Sequence, residues 1–243
     1  MKNILILGAN SDMAKAVAHE YAGNGCNLTL ASRNCNRLNE FAQDLRVRLD
    51  VSVNVLEFDI LDLSNHRHFI DSLEQVPCGV ISAIGYLGTQ ESSVDNSAEF
   101  MQVTNTNYSA IACFFNEIAH DFAKRGSGFI VGISSVAGDR GRSSNYVYGA
   151  SKAAFSAYLS GLRQSLCAKG IHVLTVKPGF VDTAMTKGMD LPEKLTASPQ
   201  RVAHDIYKSQ TKGRSVVYTM SVWWVIMTII KVIPEFVFKR LKL

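Results

Sequence analysis

Residues 3–31 read NILILGANSDMAKAVAHEYAGNGCNLTLA, and this stretch decides the fold. An apolar run from Asn3 to Leu7 ends in Gly8, a helix-compatible segment occupies residues 13–22, and a second apolar run follows at 27–31. This order predicts a strand, a tight turn, a helix and a second strand. Because strands joined through a helix usually lie parallel in one sheet, the stretch indicates a βαβ unit.

Strand-like and helix-like segments continue to alternate beyond this unit. Helical patterns occupy residues 37–49 and 64–73, and apolar runs occupy 53–58 and 79–83. The later segments are a helix over 100–124, a strand over 128–134, a helix over 146–168, a strand over 172–178 and a last core strand over 216–218. This order predicts an α/β fold of the Rossmann type, with an open, doubly wound parallel sheet in a single domain. We place that domain at residues 1–219 and an apolar C-terminal extension at 220–243.

The composition excludes several classes of protein. With 243 residues, of which 47% are hydrophobic and 19% charged, the chain can bury one large core. The net charge is only +4 and the basic residues are dispersed, so we expect no nucleic-acid partner.

The cysteines form no CxxC pair, and His66 and His68 lack a third ligand at useful spacing, so we predict no metal site. The N-terminal apolar run is too short for a secretory signal, and we expect a cytoplasmic protein.

The turns after the first two strands carry the first functional signal. Residues 8–14, GANSDMA, lead into a helix N-terminus, where free N–H groups and the helix dipole can bind a pyrophosphate. With one glycine, the turn is equally compatible with an ordinary βα connection. The second strand ends at Arg33, with no acidic residue between Glu20 and Glu40 to bind a ribose 2′-hydroxyl. Arg33 and Arg37 favour a 2′-phosphate and hence NADP(H), although both could also be solvated surface residues.

The segment that carries catalytic chemistry runs from Ser135 to Lys152. Tyr148 and Lys152 are four residues apart and therefore share one face of the predicted helix. An ammonium beside a phenol should lower the pKa of the phenol from about 10 toward the range of proton exchange at neutral pH. A lone YxxxK pattern is more often a surface pair, but this one follows a strand that ends in two serines.

Together these motifs resemble the short-chain dehydrogenase/reductase family, from Gly8 to about Thr219. Ser135 lies thirteen residues before Tyr148, as is usual in that family, within ISSVAG at 133–138. The segment VLTVKPGFVDT at 173–183 is similar to the family's PG motif. The resemblance implies an NADP(H)-dependent carbonyl reductase or alcohol dehydrogenase.

The resemblance also implies a role for each catalytic residue. Tyr148 would exchange a proton with the substrate oxygen, and Ser135 would hold the same oxygen. Lys152 would bind the nicotinamide ribose and favour ionisation of Tyr148, while Asn107 would anchor a water. The implied cofactor-binding residues are Gly8, Asn10, Ser11, Asp12, Met13, Ser32, Arg33, Asp59, Ala83, Gly85, Tyr148, Lys152, Pro178, Gly179, Val181 and Thr183.

Two segments depart from the family pattern. The glycine motif TGxxxGxG is LGANSDMA here, with Asp12 at the second glycine and Ala14 at the third, and NNAG is replaced by SAIG at 82–85. We expect Asp12 to point outward and cap the helix. The departures resemble a subset of the family with an apolar C-terminal extension, which includes the reductase of a polyprenyl-phosphate-linked ketosugar in cell-envelope arabinose biosynthesis. A hydrophobic or lipid-linked ketosugar is the implied substrate.

The C-terminal extension admits three interpretations. Residues 216–230 contain no charge, but this run of fifteen is short for a membrane span, which takes about 20 apolar residues. Trp223 and Trp224, with the basic residues Lys239, Arg240 and Lys242, favour an anchor on the inner face of the membrane. A lid over the substrate pocket and a dimer contact are the alternatives.

The pocket itself is expected from residues 138–146 and 184–199, and related enzymes commonly pair through the helices at 100–124 and 148–168, so a homo-oligomer is expected. Reduction of a soluble carbonyl compound and non-catalytic sensing of NADPH remain open as alternative functions.

Overall fold

The protein is described by a computed structural model, which covers residues 2–241. Seven parallel strands form the main sheet in the order β3-β2-β1-β4-β5-β6-β9. The strands are β1 (Asn3–Leu7), β2 (Asn27–Ser32), β3 (Val53–Glu57), β4 (Gly79–Ser82), β5 (Gly128–Ile133), β6 (Ile171–Lys177) and β9 (Val216–Tyr218). A separate parallel pair consists of β7 (Phe180–Val181) and β8 (Thr196–Ala197). The predicted Rossmann-type sheet is confirmed.

Helices cover both faces of the sheet. They are α1 (Asp12–Gly23), α2 (Asn39–Leu49), α3 (His66–Asp71), α4 (Gln90–Asp95), α5 (Ser97–Thr104), α6 (Ala110–Arg125), α7 (Tyr146–Cys167), α8 (Pro199–Thr211), α9 (Val222–Val232) and α10 (Glu235–Phe238). The single helix that was predicted over 100–124 is divided. A π-helical segment, Asn105–Ser109, separates α5 from α6. Such segments are rare and are found mostly at functional sites.

The core lies in two layers, one on each side of the sheet. In β1, Ile4 and Ile6 pack into the layer beneath α1 and α8, whereas Leu5 and Leu7 pack into the layer that contains the aromatic residues of α6. Successive side chains of a strand point to opposite faces, and a parallel strand that is covered on both sides is apolar throughout. This explains why NILIL reads as a continuous apolar run.

The sheet places the strand ends together at one edge. Leu7 of β1 pairs with Ala31 of β2 on one side and with Ser82 of β4 on the other, so the chain order reverses at β1. Ligands of doubly wound sheets bind at this kind of reversal, beyond the carboxyl ends of the strands. The turns after β1, β2, β4, β5 and β6 therefore surround one crevice.

The C-terminal segment packs against the domain. Trp223 and Met227 of α9 are buried with Val136 in a third apolar cluster. A Cβ placed on Gly179 would lie only 1.9 Å from the Trp223 ring, so the two are in close contact. Within residues 2–241 no helix is long and apolar enough to cross a membrane. Lys242, part of the basic end of the extension, lies outside the described residues, and the division between 1–219 and 220–243 stays a prediction.

Candidate active site

Three elements bring the four expected catalytic residues together. Ser135 lies two residues after β5 and caps a short 3₁₀ turn, where its Oγ accepts a hydrogen bond from the Ala137 N–H at 3.1 Å. Tyr148 and Lys152 lie on successive turns of α7, and Asn107 lies in the π-helical segment. Ser135 also hydrogen-bonds the Tyr148 side chain. The arrangement matches the order that the motifs predicted.

α7 is held firmly against β5 at the height of these residues. The Ser134 hydroxyl donates to the carbonyl oxygen of Lys152 at 2.9 Å and lies 2.7 Å from the Ser156 hydroxyl. A Cβ on Gly138 would lie 2.7 Å from the backbone nitrogen of Ala153, so only glycine permits this approach. Lys152 thus projects from a helix whose distance from the sheet is fixed.

Lys152 is a buried cation. Only 3% of the residue is exposed, and its Nζ donates to the backbone oxygen of Ile133 at 3.1 Å. Among the described residues no carboxylate forms a salt bridge with it. Removal from water disfavours the charged form, and burial lowers the pKa of Lys152 to about 8. The ammonium is therefore still largely charged at neutral pH.

The phenol of Tyr148 behaves differently from the expectation. Tyr148 is partly buried at the wall of a cavity, and burial raises the pKa of Tyr148 to about 12, although the hydrogen bond with Ser135 acts in the opposite direction. Lys152 Nζ lies 5.8 Å from the centre of the ring. The expectation that Lys152 brings the phenol pKa below 10 is wrong for this structure, because burial raises that pKa and Ser135, not Lys152, is the group that lowers it. Tyr148 is protonated at neutral pH.

Asn107 is fully buried and paired with the backbone of Tyr86. Its Nδ2 donates to the Tyr86 oxygen at 2.7 Å, and its Oδ1 accepts from the Tyr86 N–H at 2.9 Å. A Cβ on Gly85 would lie 3.5 Å from Asn107 Oδ1 and 3.7 Å from Lys152 Nζ. The Asn107 side chain therefore positions the segment that follows β4 beside Lys152. The water-anchoring role stays a prediction.

A cleft of about 600 Å³ runs across the ends of β1, β2 and β4. The predicted cofactor residues that line it are Gly8, Asn10, Ser11, Ser32, Arg33, Asp59, Ala83 and Gly85. Gly8 has a φ of +76°, and a Cβ there would lie 2.9 Å from the Ile84 side chain, so only glycine suits this position. Ser11 caps α1 and leaves the first amides of the helix for an anionic group. A dinucleotide fits this cleft.

The loop after β2 is fixed by two side chains. Asn10 Nδ2 donates to Ser32 Oγ and to the Arg33 oxygen, both at 2.8 Å. The Glu57 carboxylate accepts from the N–H groups of Asn34 and Cys35, both at 2.8 Å, and these bonds lower the pKa of Glu57. Glu57 is one of the residues that the sequence did not indicate. Its contacts involve a neighbouring strand, which no local pattern in the sequence reveals.

Asp12 does not cap α1, and that expectation is wrong. Ser11 is the N-cap residue, and its Oγ accepts from the Ala14 N–H at 3.2 Å. The Asp12 carboxylate points away from the cleft and accepts a hydrogen bond from the Ala184 N–H at 2.8 Å. It therefore fastens the segment after Thr183 to the first turn. For a cofactor, only the backbone of Asp12 is suitably placed.

A second cavity of about 440 Å³ adjoins the catalytic residues. The predicted residues that line it are Met13, Ser135, Tyr148, Pro178, Gly179, Val181 and Thr183. Met185 and Met189 line it from the expected pocket loop, and Trp223 contributes from α9. Met185 also lies beside Gly85, where the two cavities meet. The sequence did not indicate residues 87–90, which form the opposite wall.

No metal site accompanies these cavities. Within residues 2–241 no cluster of three or more His, Cys, Asp or Glu side chains could hold a metal ion. His66 instead contacts the backbone oxygen of Ile60 at 2.8 Å. It lies against Phe58 and Phe114 in the core.

The sequence of the chain is similar to those of known oxidoreductases. A family model described as short chain dehydrogenase matches residues 2–194. A protein of Mycobacterium tuberculosis that is described as an uncharacterized oxidoreductase is 33% identical over 241 residues, covering 98% of this chain and 96% of that protein. A protein of Streptomyces coelicolor with a similar description is 28% identical over 246 residues, covering 99% of this chain and 96% of the relative.

Solved structures show the same fold. A short-chain dehydrogenase from Sphingobium yanoikuyae, determined in complex with NADPH, superposes with a TM-score of 0.84 at 23% identity and covers 97% of both chains. An alcohol dehydrogenase from Comamonas testosteroni, described as specific for bulky-bulky ketones, superposes with a TM-score of 0.80 at 23% identity, over 97% of this chain and 96% of that chain. At this level of identity the similarity concerns the fold.

Proposed function

The chain belongs to the short-chain dehydrogenase family, and from this we propose that it is an NADP(H)-dependent oxidoreductase that interconverts a carbonyl compound and its alcohol. One observation carries the proposal. Ser135 and Tyr148 line a largely apolar cavity, and this cavity meets the cofactor cleft near Gly85, where an added Cβ would lie 3.7 Å from Lys152 Nζ. The cleft can take a cofactor, and the cavity can take a substrate.

In the direction of reduction, Tyr148 is the proton donor. Its pKa, raised to about 12, keeps the phenol protonated at neutral pH, which is the form that a general acid requires. Ser135 hydrogen-bonds both Tyr148 and the substrate oxygen, so it aligns the two. The charge of Lys152 stabilises the phenolate that remains after the proton has left. Bound NADPH would supply the hydride to the carbonyl carbon.

The preference for NADP(H) rests on the loop after β2. Arg33 lines the cofactor cleft together with Arg37, and guanidinium groups bind phosphate through charged hydrogen bonds. Glu57 contacts this loop, but backbone amides occupy its carboxylate. A 2′-phosphate would therefore meet positive charge at this end of the cleft. The NADPH in the Sphingobium enzyme supports the same choice.

The finer proposal is a hydrophobic or lipid-linked substrate, specifically a polyprenyl-phosphate-linked ketosugar, used at a membrane surface. Met185, Met189 and Trp223 give the cavity an apolar wall. The same helix that supplies Trp223 exposes apolar side chains on its other face, as does α10. They are Val222, Trp224, Val225, Ile229, Val232, Phe236 and Val237. Lys239 and Arg240 follow them, and such a combination suits an anionic lipid surface. Homo-oligomerisation through α6 and α7 stays a prediction.

A membrane test must leave the cavity intact. Truncation after Thr219 would remove Trp223 from its wall, so the sharper variant replaces Trp224 and Ile229 by serine. Co-sedimentation with phosphatidylglycerol vesicles should decrease in this variant, while turnover of a water-soluble ketone continues. Equal sedimentation of the variant and the original protein would remove the support for a membrane-bound substrate.

The catalytic assignment is tested by Tyr148→Phe. Oxidation of NADPH across a panel of ketones and ketosugars should be lost, because phenylalanine has no proton to give to the substrate oxygen. The affinity for NADPH, measured by fluorescence titration, should stay within a few-fold. Turnover retained by the variant would overturn the assignment, and NADPH binding by the original protein without oxidation of any panel member would favour a sensor.

A further inference from the structure

Arg142 occupies an unusual position in the substrate cavity. It follows the 3₁₀ turn after Ser135 and lines the same cavity as Tyr148. Its Nε is buried and has no hydrogen-bond partner. Burial also lowers the pKa of the guanidinium. A cation in such surroundings is costly unless an opposite charge or a ligand compensates for it.

The nearby acid Asp139 attracts the Arg142 charge only from a distance and makes no ion pair with it. Asp139 accepts a hydrogen bond from the Tyr218 hydroxyl at 2.6 Å, and its other oxygen contacts the Lys177 ammonium. Among residues 2–241, Arg142 has no carboxylate within salt-bridge distance. Arg140 provides the contrast, because it binds Glu235 at 2.7 Å and the Ile233 oxygen at 2.7 Å. Of these two arginines, Arg142 is the one that no carboxylate of the described residues contacts.

Two further polar groups in the cavity are also buried without a hydrogen-bond partner. Gln90 Nε2 and Asn145 Oδ1 are buried and lack hydrogen-bond partners, and both residues line the cavity with Arg142. The Val147 N–H donates to Gln90 Oε1 at 3.2 Å, which fixes the orientation of that amide. Native proteins rarely leave buried polar groups unpaired, so each such group requires an explanation. Three in one cavity indicate a polar ligand.

We propose that Arg142 and Gln90 bind an anionic group of the substrate, a carboxylate or a phosphate ester, and that Asn145 accepts a hydrogen bond from a neighbouring hydroxyl. Two unpaired donors and one unpaired acceptor match such a ligand. The inference deepens the proposed function and rests on it, since the carbonyl group would be the one that Tyr148 protonates. The apolar wall would contact the carbon skeleton, and the substrate class is an anionic hydroxylated ketone.

Matched pairs of substrates test the inference by kinetics. The pairs are dihydroxyacetone phosphate with dihydroxyacetone, and 4-oxopentanoate with its methyl ester, each with saturating NADPH. The original protein should favour the anionic member in kcat/KM, and Arg142→Gln should reduce the ratio within each pair at least tenfold. Arg142→Lys should retain part of the preference. Arg201→Gln, an exposed arginine on α8, is the matched control and should leave both ratios unchanged.

A second variant tests the inference independently, in case Arg142→Gln fails to fold. Gln90→Glu retains the oxygen that accepts from Val147 and replaces the donor by a negative charge. It should therefore also lower the ratio, without loss of Arg142. Ratios that stay unchanged in both variants, with both folded by circular dichroism, would overturn the inference.

Anion binding without turnover separates this inference from the proposed function. Inorganic phosphate, compared with chloride at equal ionic strength, should raise the melting temperature of the NADPH-saturated protein, and Arg142→Gln should abolish that rise. If phosphate gives an Arg142-dependent rise in melting temperature, the anionic group belongs to a soluble compound. If only phosphatidylglycerol vesicles give an Arg142-dependent rise, a lipid carries it. No Arg142-dependent effect in either arm would contradict the anion site, whereas an effect without ketone turnover would contradict only the carbonyl chemistry.

Discussion

Tyr148 and Lys152 have pKa values that burial moves in opposite directions. The phenol becomes a weaker acid, with a pKa of about 12, while the ammonium becomes easier to deprotonate, with a pKa of about 8. Both shifts follow from the same cause, because burial disfavours whichever form is charged. Between them they set the pH range in which proton donation to a carbonyl oxygen is possible.

The dependence of kcat/KM on pH in ketone reduction should reflect the pKa values of Tyr148 and Lys152. Tyr148 stays protonated throughout the accessible range, but Lys152 loses its charge as the pH rises through about 8. Because that charge stabilises the departing phenolate, kcat/KM should decrease above about pH 8. Ultraviolet difference spectra against Tyr148→Phe should show no ionisation of this phenol below about pH 11. A profile that is level to pH 10 would be inconsistent with the role of Lys152.

At the scale of elements, we propose that the loop after β2 determines the choice between NADPH and NADH. Asn34 adopts a left-handed conformation, with a φ of 55°, and the Glu57 carboxylate binds the turn that it forms. Arg33 is carried on this loop at the edge of the cofactor cleft. The position of the arginine thus depends on a residue of the neighbouring strand.

Arg33→Ala should raise the KM for NADPH about tenfold or more, since a charged hydrogen bond to phosphate contributes roughly 1.5–3 kcal/mol. The KM for NADH should change little, because NADH has no 2′-phosphate. Arg48→Ala, which alters an exposed arginine at the end of α2, is the control. Equal effects of Arg33→Ala on the two cofactors would show that the arginine does not read the 2′-phosphate.

The docking of α9 is tested by two adjacent tryptophans. Trp223 is 4% exposed beside Gly179, whereas Trp224 is 58% exposed. Trp223→Ala should lower the free energy of unfolding by about 3–5 kcal/mol, as expected for a buried aromatic side chain. Trp224→Ala should change it by less than about 0.5 kcal/mol. Urea denaturation measures both, and similar small values for the two variants would mean that α9 is not part of the folded core.

At the scale of the whole molecule, the sheet was predictable because its strands are buried on both faces. Runs such as NILIL and GFIVGI are apolar throughout, and the intervening segments have helical patterns. The proximity of Ser135, Tyr148 and Lys152 was also predictable, since they lie in short motifs of fixed spacing, while their catalytic roles stay a prediction. In both cases the physical cause acts over a few neighbouring residues.

The features that escaped prediction depend on distant contacts. The π-helical segment surrounds Asn107, whose side chain pairs with the backbone of Tyr86. Asp12 binds a backbone amide 172 residues further along the chain, at Ala184. Trp223 lines the cavity and packs on Gly179, and although a lid over the pocket was one of three interpretations of the extension, no local pattern chose among them. Such contacts exist only after the chain has folded.

The central claim is that this chain transfers a hydride between NADP(H) and a carbonyl carbon at Tyr148. The most direct measurement incubates the protein with NADPH that carries deuterium at C4 of the nicotinamide and with a ketone that it turns over, then analyses the alcohol by mass spectrometry. The account predicts one deuterium on the carbinol carbon with the original protein and no labelled alcohol with Tyr148→Phe. Alcohol without deuterium, or label transferred equally by Tyr148→Phe, would contradict it.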